Sequence, residues 1–164
     1  MKISRSTVVL IILTAMSGGY AVSSFAQDVP AGSRVLTPSE LKWSESPRAP
    51  GVQTAPLVGD PSNPGSYVFR AKYPPHTVNR PHHHPGDEEI TVLSGTLYFG
   101  DGLAMEPEKT LTLPAGSYIA VPAKTWPFLS TKSEPVELEI RGVGPRANIF
   151  AQCLSPHRLT KASS

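Results

Sequence analysis

A single cysteine, Cys153, occurs in the whole sequence, so no disulfide can form within the chain. That thiol is read as a packing residue, a free thiol or a link to a second subunit. Charge of one sign is equally scarce. Lys2 and Arg5 account for the net charge of +2, and beyond them acidic and basic side chains are equal in number. With no basic tract and no aromatic residues interleaved among cations, a nucleic-acid partner is excluded. No apolar run reaches the length of about 20 residues that a spanning helix needs. The sequence also lacks a nucleophile elbow, a phosphate-cradling glycine loop and a Cys-x-x-Cys pair, which leaves triad hydrolases and nucleotide enzymes without support. No internal repeat is visible.

The apolar run that does exist, within residues 7–15, follows the basic head of Lys2 and Arg5 and precedes Ser24-Phe25-Ala26. This is the pattern of a signal peptide cleaved after Ala26. Residues 1–26 are therefore expected to be removed, leaving a periplasmic or secreted chain without a membrane segment. Residues 27–164 fit one domain of ordinary size.

Proline and glycine, by contrast, are abundant, at 18 and 13 residues, and they break the chain too often for long helices. Short segments with a period of two lie between the breaks. Residues 67–73 alternate Tyr67, Phe69, Ala71 and Tyr73 against Arg70 and Lys72, and 136–141 alternate as cleanly. Residues 88–93 and 96–99 read as a hairpin turning at Ser94-Gly95. Further strands are expected at 110–113, 117–121, 128–130 and 147–151. Seven or eight such strands point to an all-β sandwich or small barrel. Residues 27–56 are read as an irregular, proline-rich arm with one possible helical turn at 38–41, residues 57–152 as the barrel, and residues 153–164 as a tail.

The chemistry concentrates in Pro81-His82-His83-His84-Pro85-Gly86-Asp87-Glu88. In an extended chain His82 and His84 share one face and His83 faces away. A turn at 85–87 that returns Glu88 to the same side would complete a metal corner of two nitrogens and one oxygen. His83 is otherwise a surface residue, and Glu89 the outward neighbour of Glu88. Tyr98, Tyr118, Trp126 and Phe128 either line a pocket or belong to the core. Lys124 and Arg141 are read as solvated cations that could also meet an anionic substrate.

These residues resemble the first cupin motif, in which glycine, His-x-His, glutamate and glycine follow at fixed spacing. His82, His84, Glu88 and Gly95 hold those places, with His76 in place of the leading glycine. Gly116 and Pro122 match the second motif. There Lys124 stands where glycine is usual, Pro127 where the fourth metal ligand is usual, and Thr131 where asparagine is usual. The run 57–150, with Val58-Gly59-Asp60-Pro61, Leu113-Pro114-Ala115-Gly116-Ser117 and Arg141-Gly142-Val143-Gly144-Pro145, is similar to exported bacterial single-domain cupins. The resemblance implies a cupin-type β-barrel (a jelly-roll-like double-stranded β-helix), a homodimer, and a divalent ion of iron, manganese, zinc, nickel or copper. It also implies a small-molecule substrate and oxygenase-, isomerase- or lyase-type chemistry.

Proline has no side-chain donor atom, so Pro127 reduces the ligand set to His82, His84 and Glu88. The sequence leaves two outcomes. One is a three-ligand site with open positions for water, substrate or oxygen. The other is a site too weak for metal, in a non-catalytic module that binds or senses a small molecule. His76, ahead of the motif strand, is the first candidate for an additional ligand, before His83 and His157. No pattern marks a catalytic residue.

Overall fold

The computed structural model describes residues 30–150. The expected leader, Cys153, His157 and the expected tail lie outside the described residues. The chain divides into two compact units, residues 1–34 and 35–164, and every described strand belongs to the second.

The strands are β1 (Ser44–Glu45), β2 (Gln53–Val58), β3 (Gly65–Tyr73), β4 (Val78–Asn79), β5 (His82–His83), β6 (Glu88–Ser94), β7 (Thr96–Asp101), β8 (Leu111–Pro114), β9 (Tyr118–Val121), β10 (Pro127–Ser130), β11 (Val136–Gly144) and β12 (Ile149–Phe150). The only helical elements among the described residues are single 3-10 turns at Pro38–Glu40 and Pro107–Lys109. At the first, the backbone N–H and the hydroxyl of Thr37 both donate to Glu40 Oε2 at 2.7 Å. The fold is all-β, as expected. One sheet runs β1-β2-β3-β11-β6-β9, a second runs β4-β10-β7-β8, and β5 pairs with β12. Among the described residues the ladders do not close into one continuous barrel.

Burial of alternate side chains holds the large sheet together. Tyr67, Phe69, Ala71 and Tyr73 of β3 and Val136, Leu138 and Ile140 of β11 are all buried. At roughly 1.5–3 kcal/mol per large apolar side chain removed from water, this row is the main stabilising term. On the opposite face Arg70 approaches Glu137 at 3.4 Å and Glu139 at 3.7 Å, and Lys72 lies 3.9 Å from the centroid of the Trp43 ring. These half-exposed pairs fix register more than they add stability. The β6–β7 turn needs its glycine. Gly95 has φ +74°, and a Cβ there would collide with the Pro135 carbonyl.

The expected arm is not irregular throughout. β1 and β2 lie within residues 27–56 or cross their boundary, and β2 pairs with β3 from Gln53 to Val58. Pro56 hid this strand. Because β1 covers β2 only at Gln53 and Thr54, Pro56 sits at an open edge, where its missing N–H costs nothing. Val52 and Ala55, at 2% and 0% exposure, are core residues. The last strand starts later than the expected 147–151: among the described residues it pairs at Ile149 and Phe150, and Ala151 lies outside them.

Candidate functional site

Glu88 opens β6 on the inward row that it shares with Ile90 and Val92. A slip of one residue would turn Glu89 inward instead. Glu89 in fact faces outward and pairs with Arg141 at 2.5 Å. Gly142 of β11 is the register partner of Glu88, and a Cβ at that glycine would lie 2.6 Å from the Tyr67 hydroxyl. The space is used: Tyr67 donates to Glu88 Oε1 at 2.7 Å.

The histidine run obeys the extended-chain alternation. His82 and His84 are 3% and 6% exposed, and their rings meet edge to face at 4.8 Å. His83 turns away and packs edge-on against Trp126 at 4.7 Å. Backbone carbonyls anchor both buried rings, Arg80 O lying 2.7 Å from His82 Nδ1 and Ala147 O 2.8 Å from His84 Nδ1. A carbonyl only accepts, so each Nδ1 carries a proton and Nε2 is the lone-pair nitrogen of the neutral ring.

The residue that the sequence did not reveal is Arg146, in the segment between β11 and β12. Its Nε donates to Glu88 Oε1 and its Nη2 to Oε2 at 3.4 Å. The same Nη2 lies 3.4 Å from His84 Nε2, while Nη1 donates to Asn148 Oδ1 at 2.9 Å. His84 Nε2 and Glu88 Oε2 face each other at 3.1 Å. The guanidinium stands beside this close pair and meets both of its members.

Electrostatics follows from burial and this pairing. Burial lowers His82 to about 4, which keeps the ring neutral at pH 7. Burial alone would raise Glu88, but the His84 hydrogen bond and the Arg146 charge outweigh it and hold the carboxyl down at about 2. The Tyr67 phenol is pushed well up by burial and by the Glu88 charge, so it remains a donor.

Two spaces adjoin the cluster. The one lined by His82, His84, Glu88, Phe128 and Arg146 is about 20 Å³, room for about one water or one ion. The other is a cleft of about 390 Å³ under β1 and β2, with Val52, Phe69 and Ile140 on its walls and Ser46, Arg48 and Asn148 among its polar groups. Tyr73, Asn79, Ile140 and Arg146 line both spaces. Only the cleft side of Arg146 has room for a molecule larger than water.

The donor chemistry of the cluster fits a divalent ion: two imidazoles held by their far nitrogens, and one carboxylate. Among the described residues, however, no three His, Cys, Asp or Glu side chains already stand in a metal-holding group. The cluster as it stands is closed around the guanidinium instead.

The other sequence candidates fall elsewhere. His76 is exposed, in a turn where its N–H donates to the Lys132 carbonyl at 2.7 Å, and it does not reach the cluster. Of the aromatic pocket candidates only Phe128 borders the site. Tyr98 lies on the outer side of β7 beneath Lys132, 3.9 Å from the ring centroid, because its neighbour Leu97 takes the inward place. Tyr118 is 54% exposed for the same reason in β9, and Trp126 is engaged by His83. His76 and Lys124, the two positions where the motifs carry glycine, have φ of 60° and 65° and are the only non-glycine residues with positive φ among the described residues.

Residues 31–126 match the ChrR cupin-like domain. This chain belongs to that cupin family. The matched segment ends one residue before Pro127, so Arg146 lies beyond it. Solved structures share the cupin fold at low identity. The polyketide cyclase RemF from Streptomyces resistomycificus is 16% identical, with 73% of this chain and 87% of that chain covered and a TM-score of 0.57. The DMSP lyases RdDddP and RnDddQII give 20% identity, 68% and 63% coverage and a TM-score of 0.55. KdgF from Halomonas sp. gives 16% identity, 68% and 94% coverage and a TM-score of 0.52. The cupin thus spans less than two thirds of the lyase chain. No curated protein sequence matches it.

Proposed function

We propose that this cupin is exported, holds a divalent metal ion through His82, His84 and Glu88, and acts on a small molecule bound in the 390 Å³ cleft. The observation that carries the reading is the convergence of two potential ligand atoms, His84 Nε2 and Glu88 Oε2 at 3.1 Å, with the His84 ring fixed by the Ala147 carbonyl. Bound there, the ion supplies Lewis acidity or an oxygen-binding centre. The chain's own part is to orient and to exclude water. Tyr67 fixes the Glu88 carboxylate, the anchored imidazoles present Nε2, and the apolar walls of the cleft desolvate the bound molecule. Lyase and cyclase chemistry on small molecules among proteins of the same fold supports that substrate class. The expected homodimer belongs to the same proposal.

Pro127 and the Glu88–Arg146 pair favour a second reading, a binding module that works without metal. Metal analysis separates the two. One ion per chain, lost in His82→Ala, supports the first. A metal-free wild type that gains an ion in Pro127→His supports the second.

A further inference from the structure

Resting on the metal reading above, we infer that Arg146 is a built-in competitor for the ion, its guanidinium holding the place of the cation between Glu88 and His84 until the metal displaces it. Three observations carry this. The guanidinium reaches both carboxylate oxygens of Glu88 and approaches His84 Nε2, so it already meets two of the three donor side chains that an ion would use. The space of about 20 Å³ left beside the guanidinium has room for one ion or water, and the guanidinium's like charge would repel an ion there. A route of retreat also exists, because Arg146 lines the 390 Å³ cleft as well.

The exchange belongs to the side chain alone. The Arg146 backbone is tied on both sides, its N–H donating to the Pro61 carbonyl at 2.6 Å and its carbonyl accepting from Arg48 Nη2 at 3.4 Å. A cupin built this way holds its metal more weakly than its ligands alone would allow. It also keeps Glu88 compensated when no metal is bound, which a buried carboxylate requires.

The test is Zn²⁺ affinity, measured by competition with a chromogenic chelator, for wild type, Arg146→Met and Arg146→Lys. Arg146→Met is expected to bind at least tenfold more tightly than wild type, with Arg146→Lys between them because it keeps the charge and loses the fork. Equal or weaker binding by Arg146→Met overturns the role of Arg146 and leaves the metal site standing. No binding by any of the three overturns both. Should Arg146→Met fail to fold without metal, ¹⁵N spectra of the wild type decide: saturating Zn²⁺ must move the Arg146 Nε–H signal, and an unmoved signal at full occupancy contradicts the inference.

Discussion

Gly142 lies directly across the β6–β11 ladder from Glu88, and the missing side chain is what lets the Tyr67 hydroxyl reach that carboxylate. A Cβ at 142 would stand 2.6 Å from the hydroxyl and 2.9 Å from the Asp87 carbonyl. Gly142→Ala is therefore expected to destabilise the domain by about 1–3 kcal/mol, the usual cost of overpacking. Tyr67→Phe, which takes a donor from an ionised buried group, should cost about 1.5–3 kcal/mol. Urea unfolding measures both. A loss below about 0.5 kcal/mol in either variant, the range of ordinary surface changes, would show that the hydrogen bond is not part of the site's support.

The two left-handed residues give a prediction of opposite sign. Lys124 at φ 65° and His76 at φ 60° hold a conformation that costs a side-chain-bearing residue roughly 1–2 kcal/mol. Lys124→Gly and His76→Gly should each stabilise the fold, by about 1 kcal/mol once the greater chain entropy of glycine is subtracted. His76→Gly should also leave Zn²⁺ stoichiometry unchanged, since the ring is exposed and away from the cluster. Loss of the ion in that variant would restore His76 as a ligand.

Much of the fold was legible because it rests on period two. The alternation in 67–73 and 136–141 placed the two central strands, and the spacing His82, His84, Glu88, Gly95 placed the cluster at the start of an inward-facing strand. The glycine positions taken by His76 and Lys124 were also legible, as departures from a motif whose backbone demand the structure still meets. β1 and β2 were not legible. Pro56 and the polar residues are permitted because β2 is covered only at its first two residues, an edge condition that appears only once the sheet exists. Arg146 left no sequence signal either. It lies 58 residues from Glu88, directly after the Arg141–Pro145 run, and its role follows from the way the chain turns back after β11 toward β5.

Acid should weaken the metal-free protein through two groups acting in the same sense. His82 titrates at about 4 when folded, against 6.5 in the open chain, so the unfolded state binds the extra proton and stability falls as pH drops from 6.5 toward 4. Glu88 titrates at about 2 when folded, against 4.5 unfolded. Its contribution is present above 4.5 and is lost as pH falls from there toward 2. Urea midpoints of chelator-treated protein across this range should decline throughout. His82→Gln should flatten the upper limb and Glu88→Gln the lower. An unchanged upper limb in His82→Gln would mean that the imidazole is not held neutral by burial.

The most direct measurement is an anomalous-diffraction map of crystals equilibrated with Co²⁺ or Zn²⁺. A single peak bonded to His82 Nε2, His84 Nε2 and a Glu88 oxygen, with the Arg146 guanidinium withdrawn into the cleft, is the expected result. A map with no peak at the cluster and the guanidinium still seated on Glu88 would contradict the metal-binding function.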